Sequence, residues 1–149
     1  MSWTLPKGLL DRPEAGRLAT SVQRLMRRYR QDLVALVLFG SMARGDHDLY
    51  SDYDLLLVLE RDPERFIDRL VTVADQVDPR VEVLAYTVPE VEQLWATRNL
   101  LLLDALDEGK VLVDNGFWMS LRQRLLQEVA AGRLRRYTLG WEIRPGPGD

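Results

Sequence analysis

The chain has 149 residues, of which 46% are apolar and 29% are charged, so it is long enough for one domain with a real core. Its net charge of −3 gives no global basic field, so we expect no nucleic-acid partner. The sequence has no cysteine and one histidine, His47, which excludes disulfides, thiolate metal sites and multi-histidine zinc sites.

Helical and strand-like patterns of apolar residues alternate along the chain. We predict helices over residues 13–29 and 63–77, helical stretches from Pro89 and over 99–106, and a last helix over 117–131. Short apolar runs predict strands over 33–39, 54–59, 81–86 and 111–113. The domain prediction is a single domain of residues 1–149, with a core at about 11–114, a C-terminal helix at 116–134 and a flexible tail at 144–149.

The sequence also predicts where the protein is found. It does not begin with the charged-then-apolar pattern of a signal peptide. Its apolar runs are too short to span a bilayer, so no membrane association is expected. We therefore expect a cytoplasmic protein.

The connection between the first two strands predicts the type of sheet. About six residues separate Gly45 from Asp52, whereas a helical crossover between parallel strands needs a dozen or more. The two strands are therefore predicted to be antiparallel neighbours in a small mixed α/β sheet flanked by helices. This arrangement argues against a Rossmann or P-loop domain. The sequence also contains neither of their phosphate-binding motifs, G-x-G-x-x-G and G-x-x-x-x-G-K-[ST].

Two carboxylates stand at the start of the second strand. If Asp52 and Asp54 lie on a strand, their side chains point to one face, about 7 Å apart along the backbone. Like charges aimed at one spot repel each other, and a fold tolerates them when a cation lies between them. Mg²⁺ prefers carboxylate oxygens together with substrate phosphates, so the pair predicts a magnesium site.

The end of the first strand supplies a complementary feature. Gly40 allows the backbone to turn there and allows a ligand to approach it closely. The N–H groups and hydroxyl at Ser41 could hold a phosphate, and Arg44 adds a permanent forked positive charge.

A third acid, Glu82, interrupts the apolar strand at 81–86 and would be costly there if that strand were central. Three carboxylates could hold two Mg²⁺ ions, which would activate a hydroxyl and neutralise a triphosphate. The matching reaction is transfer of a nucleotidyl group from an NTP to a hydroxyl.

These residues resemble the nucleotidyltransferase superfamily that includes DNA polymerase beta. The shared signature is Gly40-Ser41, ten further residues, and then Asp52-Tyr53-Asp54. The fuller pattern around it is similar to the minimal nucleotidyltransferases, a small prokaryotic branch that places its third acid where Glu82 falls. The motif covers residues 39–55, and a looser resemblance extends over about 18–114.

The resemblance implies a palm-like mixed sheet, Mg²⁺ as cofactor and an NTP, ATP above all, as substrate. It assigns Asp52, Asp54 and Glu82 to the metals and catalysis, and Gly40, Ser41 and Arg44 to the triphosphate. Many members of this branch are encoded beside a HEPN-domain toxin, and some adenylylate a tyrosine of that toxin. The implied role is therefore that of an antitoxin enzyme.

Two other functions stay open at this point. The domain could act as a binding module that masks a HEPN partner through its C-terminal helix and Trp118. It could also modify a small molecule such as an aminoglycoside, which would need an acceptor pocket supplied by an extra domain or by a homo-oligomer.

Structural explanations compete with the functional ones at several residues. Asp52 and Asp54 could form a turn, Glu82 could be a solvated edge-strand charge, and Arg44 could form a structural salt bridge. His47 is expected to be a solvated loop residue, and Tyr53 should point into the core. The remaining expectations are core or interface positions for Trp95 and Trp118, a solvated helix end for Arg133, Arg135 and Arg136, and exposed helix charges for Asp104, Asp107 and Glu108.

Overall fold

The computed structural model describes Trp3, Leu5 and residues 15–40, 53–138 and 140–144. The first half contains α1 (Ala15–Tyr29), a short 3-10 turn (Arg30–Asp32), β1 (Leu33–Phe39), β2 (Tyr53–Leu59), α2 (Phe66–Ala74) and β3 (Val81–Thr87). The second half contains α3 (Val88–Ala96), α4 (Leu100–Glu108), β4 (Lys110–Asp114), α5 (Phe117–Ala130), β5 (Leu134–Tyr137) and β6 (Gly140–Ile143).

The main sheet has the strand order β3-β2-β1-β4. Strand β1 is antiparallel to both β2 and β4, whereas β2 and β3 are parallel. This confirms the prediction of a mixed α/β sheet whose first two strands are antiparallel neighbours. The parallel pair is connected through α2, which gives the chain the length that a crossover needs.

Alternate side chains of the central strands pack into two separate hydrophobic cores, one on each face of the sheet. One face of β2, with Leu55 and Leu57, packs against α1 and α2. The other face, with Leu56 and Val58, packs against α3, α4 and α5. Since both faces are covered, the central strands are apolar along nearly their whole length, as the short apolar runs of the sequence indicate.

Side-chain caps define the starts of the helices on the second face. Thr87 and Glu90 form a reciprocal capping box at α3, and Asn99 accepts a hydrogen bond from the backbone N–H of Leu102 at α4. The Asp114 carboxylate accepts hydrogen bonds from the first turn of α5, at 3.0 and 3.1 Å. These local signals explain why the predicted and observed helix starts agree closely.

Gly109 lies directly after the last residue of α4. Its φ is −66°, outside the left-handed region that usually selects glycine at a helix end. A Cβ atom built on it would lie 2.3 Å from the carbonyl oxygen of Ala105 and 2.6 Å from Val37 Cγ1. Close packing of the helix end against β1 therefore requires glycine here.

The chain beyond α5 differs from the prediction. The C-terminal helix ends at Ala130, and β5 and β6 then form an antiparallel hairpin. The predicted solvated helix end at Arg133, Arg135 and Arg136 is therefore wrong, since Arg135 and Arg136 lie on a strand. Gly132, with a φ of +78°, provides the turn between helix and hairpin. The predicted tail beyond Arg144 lies outside the described residues.

No helix within the described ranges combines the length and the apolar character that a bilayer crossing demands.

Candidate active site

Asp54 and Glu82 are directly opposite each other in the parallel ladder between β2 and β3. Side chains at paired positions of neighbouring strands project from the same face, and such strands lie about 4.8 Å apart. The two carboxylates are therefore side by side on the face that carries α3, α4 and α5. Asp54 is half-buried and Glu82 is exposed. The structure thus brings together two of the three predicted acids.

Glu82 lies on an edge strand and not on a central one. Strand β3 lies at the edge of the sheet, so an acid there does not carry the cost of a central strand. What distinguishes Glu82 from an ordinary edge-strand charge is its register, because it faces another carboxylate, Asp54, across the ladder. Two adjacent like charges repel each other unless a cation lies between them.

Gly40 is the third residue of the site. It follows β1, whose last residue, Phe39, pairs with Asp54. Its φ of +76° is one that side chains disfavour. A Cβ atom at this position would also lie 2.6 Å from Asp54 Oδ2. Glycine is therefore needed both for the turn and for the room that the Asp54 carboxylate occupies.

The other predicted site residues, Ser41, Arg44 and Asp52, lie outside the described residues, as does His47. Within the ranges that are described, no cluster of three metal-ligating side chains occurs. Tyr53, which precedes Asp54, is fully buried against α1 and α2, so its predicted position in the core, on the face opposite to Asp54, is confirmed.

A cavity of about 310 Å³ opens directly beside Gly40. Of the described residues, Phe39 and Gly40 at the end of β1 and Leu101, Asp104 and Glu108 of α4 line it. The three α4 residues are spaced by three and four positions, so they share one face of the helix.

The hairpin contacts the acidic wall of this cavity. Arg136 on β5 forms ion pairs with Asp104 and with Glu108, the latter at 3.1 Å. Trp141 on β6 donates a hydrogen bond from Nε1 to Asp104 Oδ1 at 2.9 Å. Asp107 is 3.9 Å from Arg136.

The prediction of these acids as plain exposed helix charges is therefore wrong for Asp104 and Glu108. Their spacing on α4 is visible in the sequence. Their basic partner lies about thirty positions away, beyond the reach of any local pattern.

The two tryptophans are core residues. Trp118 is fully buried between α5 and the sheet, and Trp95 is 6% exposed. The Arg98 guanidinium carbon lies 4.4 Å from the Trp95 ring centroid, a cation–π distance. An interface that uses Trp118, as the masking function would have it, is contradicted by this burial.

Comparisons with known proteins agree with this geometry. The sequence model of the nucleotidyltransferase domain matches residues 19–113. A Methanocaldococcus jannaschii protein named for protein adenylyltransferase activity is 29% identical over 110 residues, covering 70% of this chain and 75% of the relative. A second protein of that organism, similarly named, is 30% identical over 97 residues, covering 61% of this chain and 89% of the relative.

One solved structure shows the same fold. It is a Sulfolobus solfataricus protein named for nucleotidyltransferase activity, with a TM-score of 0.51 and 18% sequence identity. The match covers 74% of this chain and 91% of that chain.

Proposed function

Because this chain belongs to the nucleotidyltransferase domain family and is thus a transferase, we propose that it transfers AMP from ATP to the hydroxyl of a protein side chain, with Mg²⁺. The observation that carries this proposal is the in-register pair Asp54 and Glu82 beside Gly40. The names of the two archaeal relatives support AMP as the group and a protein as the acceptor. A tyrosine of a HEPN-type toxin is the acceptor that the family resemblance favours.

The residues present suit a magnesium ion. Asp54 and Glu82 offer hard oxygen donors on one face, and Asp52 would add a third carboxylate if β2 extends to it in the same alternation. When bound there, Mg²⁺ lowers the pKa of an attacking hydroxyl and neutralises charge on the triphosphate.

The protein's own groups would then bind, orient and move a proton. Gly40 lets the triphosphate approach the backbone, while Ser41 and Arg44 hold its phosphate oxygens. In the transfer, the acceptor oxygen forms a bond to the α-phosphorus as the bond from that phosphorus to the β-phosphate bridging oxygen breaks. Pyrophosphate leaves with that oxygen. Glu82, which is exposed on the edge strand, accepts the proton of the attacking hydroxyl.

A direct assay tests the proposal. The protein is incubated with Mg²⁺, each labelled NTP in turn, and a co-expressed HEPN-type protein, and pyrophosphate and the intact mass of the partner are measured. We expect pyrophosphate and a partner heavier by one AMP per modified tyrosine, with ATP preferred and EDTA abolishing both signals. The absence of NTP binding, or transfer that persists in EDTA, would contradict the proposal.

Replacing Gly40 with Ala is expected to impair transfer more than it impairs stability. The new Cβ would collide with Asp54 Oδ2 at 2.6 Å and displace the carboxylate, while the positive φ costs about 1–2 kcal/mol. A misplaced catalytic group commonly costs about a hundredfold in rate. Pyrophosphate release and urea unfolding measure the two effects.

Gly132 provides the matched control. Its φ of +78° is almost the same, but nothing lies within 4 Å of a Cβ built on it. Gly132→Ala should therefore lose a similar free energy of unfolding and retain full transfer. Equal rates in the two variants would show that the space beside Asp54 is not important for activity.

A further inference from the structure

We propose that the cavity beside Gly40 binds the nucleoside part of the NTP, whose hydroxyl or amino groups donate hydrogen bonds to the carboxylates of α4. This inference rests on the proposed function and adds where the nucleotide's uncharged half lies. In this inference the hairpin of β5 and β6 contributes to substrate binding by holding Asp104 in position.

The cavity lies at one end of a row of residues that crosses the sheet. Phe39, Asp54 and Glu82 occupy paired positions on β1, β2 and β3 and form this row. The cavity begins at Phe39 and Gly40, at the β1 end of this row. An NTP whose α-phosphate lies at the carboxylates of β2 and β3 can therefore place its nucleoside in the cavity without leaving this face of the sheet.

The cavity walls are part apolar and part acidic. Phe39 and Leu101 offer apolar surface to the flat face of a base, whereas Asp104 and Glu108 offer hydrogen-bond acceptors. Carboxylates repel a triphosphate, so the cavity suits the neutral, donor-bearing end of the nucleotide. A volume of about 310 Å³ is at the small end for ligand pockets, which fits a single nucleoside.

The hairpin holds the acidic wall in place. Arg136 and Trp141 both donate to Oδ1 of Asp104, and among the described residues Oδ2 receives no hydrogen bond. The side chain of Asp104 is 48% exposed, so this second oxygen is open to a ligand. Fixing a polar group before the ligand arrives reduces the ordering cost of binding.

Nucleotide binding to single-site variants tests the inference. Dissociation constants for ATP with Mg²⁺ are measured by calorimetry on the full chain. Leu101→Trp fills the cavity and should weaken ATP binding by about tenfold or more. Asp104→Asn keeps an acceptor for Arg136 but removes the charge, and should weaken binding by about tenfold.

Asp107→Asn is the matched control for Asp104→Asn. Asp107 lies on the same helix and near the same Arg136, yet it is not among the residues that line this cavity. Its variant should bind ATP like the unaltered protein. Melting temperatures of all three variants identify any that fail to fold.

Analogues distinguish the two sources of donors. Weaker binding of 2′-deoxy-ATP or 3′-deoxy-ATP identifies the ribose, and weaker binding of ITP identifies the amino group of the base. Two results would overturn this inference alone. The unaltered protein could bind all three analogues as tightly as it binds ATP, or both Leu101→Trp and Asp104→Asn could bind ATP as tightly as the unaltered protein does. An unaltered protein that binds no NTP overturns the proposed function instead.

Discussion

Replacing Asp54 with Asn is expected to slow nucleotidyl transfer by roughly a thousandfold or more, since metal-assisted charge stabilisation is worth several kcal/mol. The amide keeps the shape of the side chain but loses the negative charge that would hold Mg²⁺. Glu82→Gln should have an effect of the same order, because Glu82 is the direct partner of Asp54 across the ladder. The rate of pyrophosphate release with ATP and an acceptor measures both.

The fold should survive either change. Removing the Glu82 charge relieves its repulsion by Asp54, so the melting temperature of Glu82→Gln without metal should stay the same or rise. The stabilisation that Mg²⁺ and ATP together give the unaltered protein should shrink in both variants, because a ligand stabilises a fold less when it binds less tightly. Asp75→Asn, at the exposed C-terminal end of α2, is a control that should leave rate and stability unchanged. Full activity of Asp54→Asn would refute the role proposed for that residue.

The same variants separate catalysis from masking. Because Trp118 is buried, masking would have to use other residues of α5, where Met119 is 44% exposed and Leu126 is 55% exposed. A HEPN-type partner that is neutralised equally well by the Asp54→Asn, Glu82→Gln double variant would favour masking by this surface. A partner that is neutralised only by the protein with intact acids, and that then carries AMP, would favour catalysis.

Local sequence patterns were sufficient to predict the strands that position the candidate site. The apolar runs at β1 and β2 and the short connection between them predict an antiparallel pair, because no crossover fits in that length. With β2 and β3 paired in parallel, Asp54 and Glu82 fall opposite each other, as the metal-site prediction requires. The two acids lie on one face because strand alternation determines the face on which each side chain lies.

Long-range contacts account for what the sequence did not reveal. The ion pairs of Arg136 with α4 join residues about thirty positions apart, and nothing at either end shows that the other is near. Short strands such as β5 and β6, with arginines, glycine and tryptophan, have no clean alternation. Arg69 was missed for the same reason, since it lies among apolar residues of α2 and its acidic partners are on other segments.

Replacing Arg69 with Met should reduce the free energy of unfolding by about 3–5 kcal/mol, the typical cost of breaking a buried ion pair. The Arg69 side chain is 2% exposed and lies 2.6 Å from Glu90 and 3.5 Å from Asp62. It also donates to the carbonyl oxygens of Ala85 at 2.9 Å and Glu64 at 2.7 Å. These contacts connect α2 to β3 and to α3. Removing Arg69 leaves two carboxylates and two carbonyl groups without their donor.

The pH dependence of the loss identifies its cause. Burial raises the pKa of Glu90, but hydrogen bonds from Arg69 and Thr87 and the Arg69 charge lower it more, so the pKa lies below its ordinary 4.5. The stabilisation from this pair is therefore complete above pH 4.5 and is lost as the pH falls through the lowered value. Without Arg69, burial instead favours protonated Glu90, so the difference between variant and unaltered protein should shrink on acidification.

Arg65→Met is the control for an exposed ion pair at the start of the same helix. The Arg65 side chain is 88% exposed and lies 3.3 Å from Asp68. Such a pair contributes at most about 1 kcal/mol, and its loss should be reduced by salt. Urea unfolding between pH 3 and pH 7 compares the two variants. Two outcomes would contradict a stabilising role for the buried Arg69 network between α2 and β3, the edge strand that carries Glu82. One is a similar loss of unfolding free energy in Arg65→Met and Arg69→Met, and the other is a loss in Arg69→Met that does not change with pH.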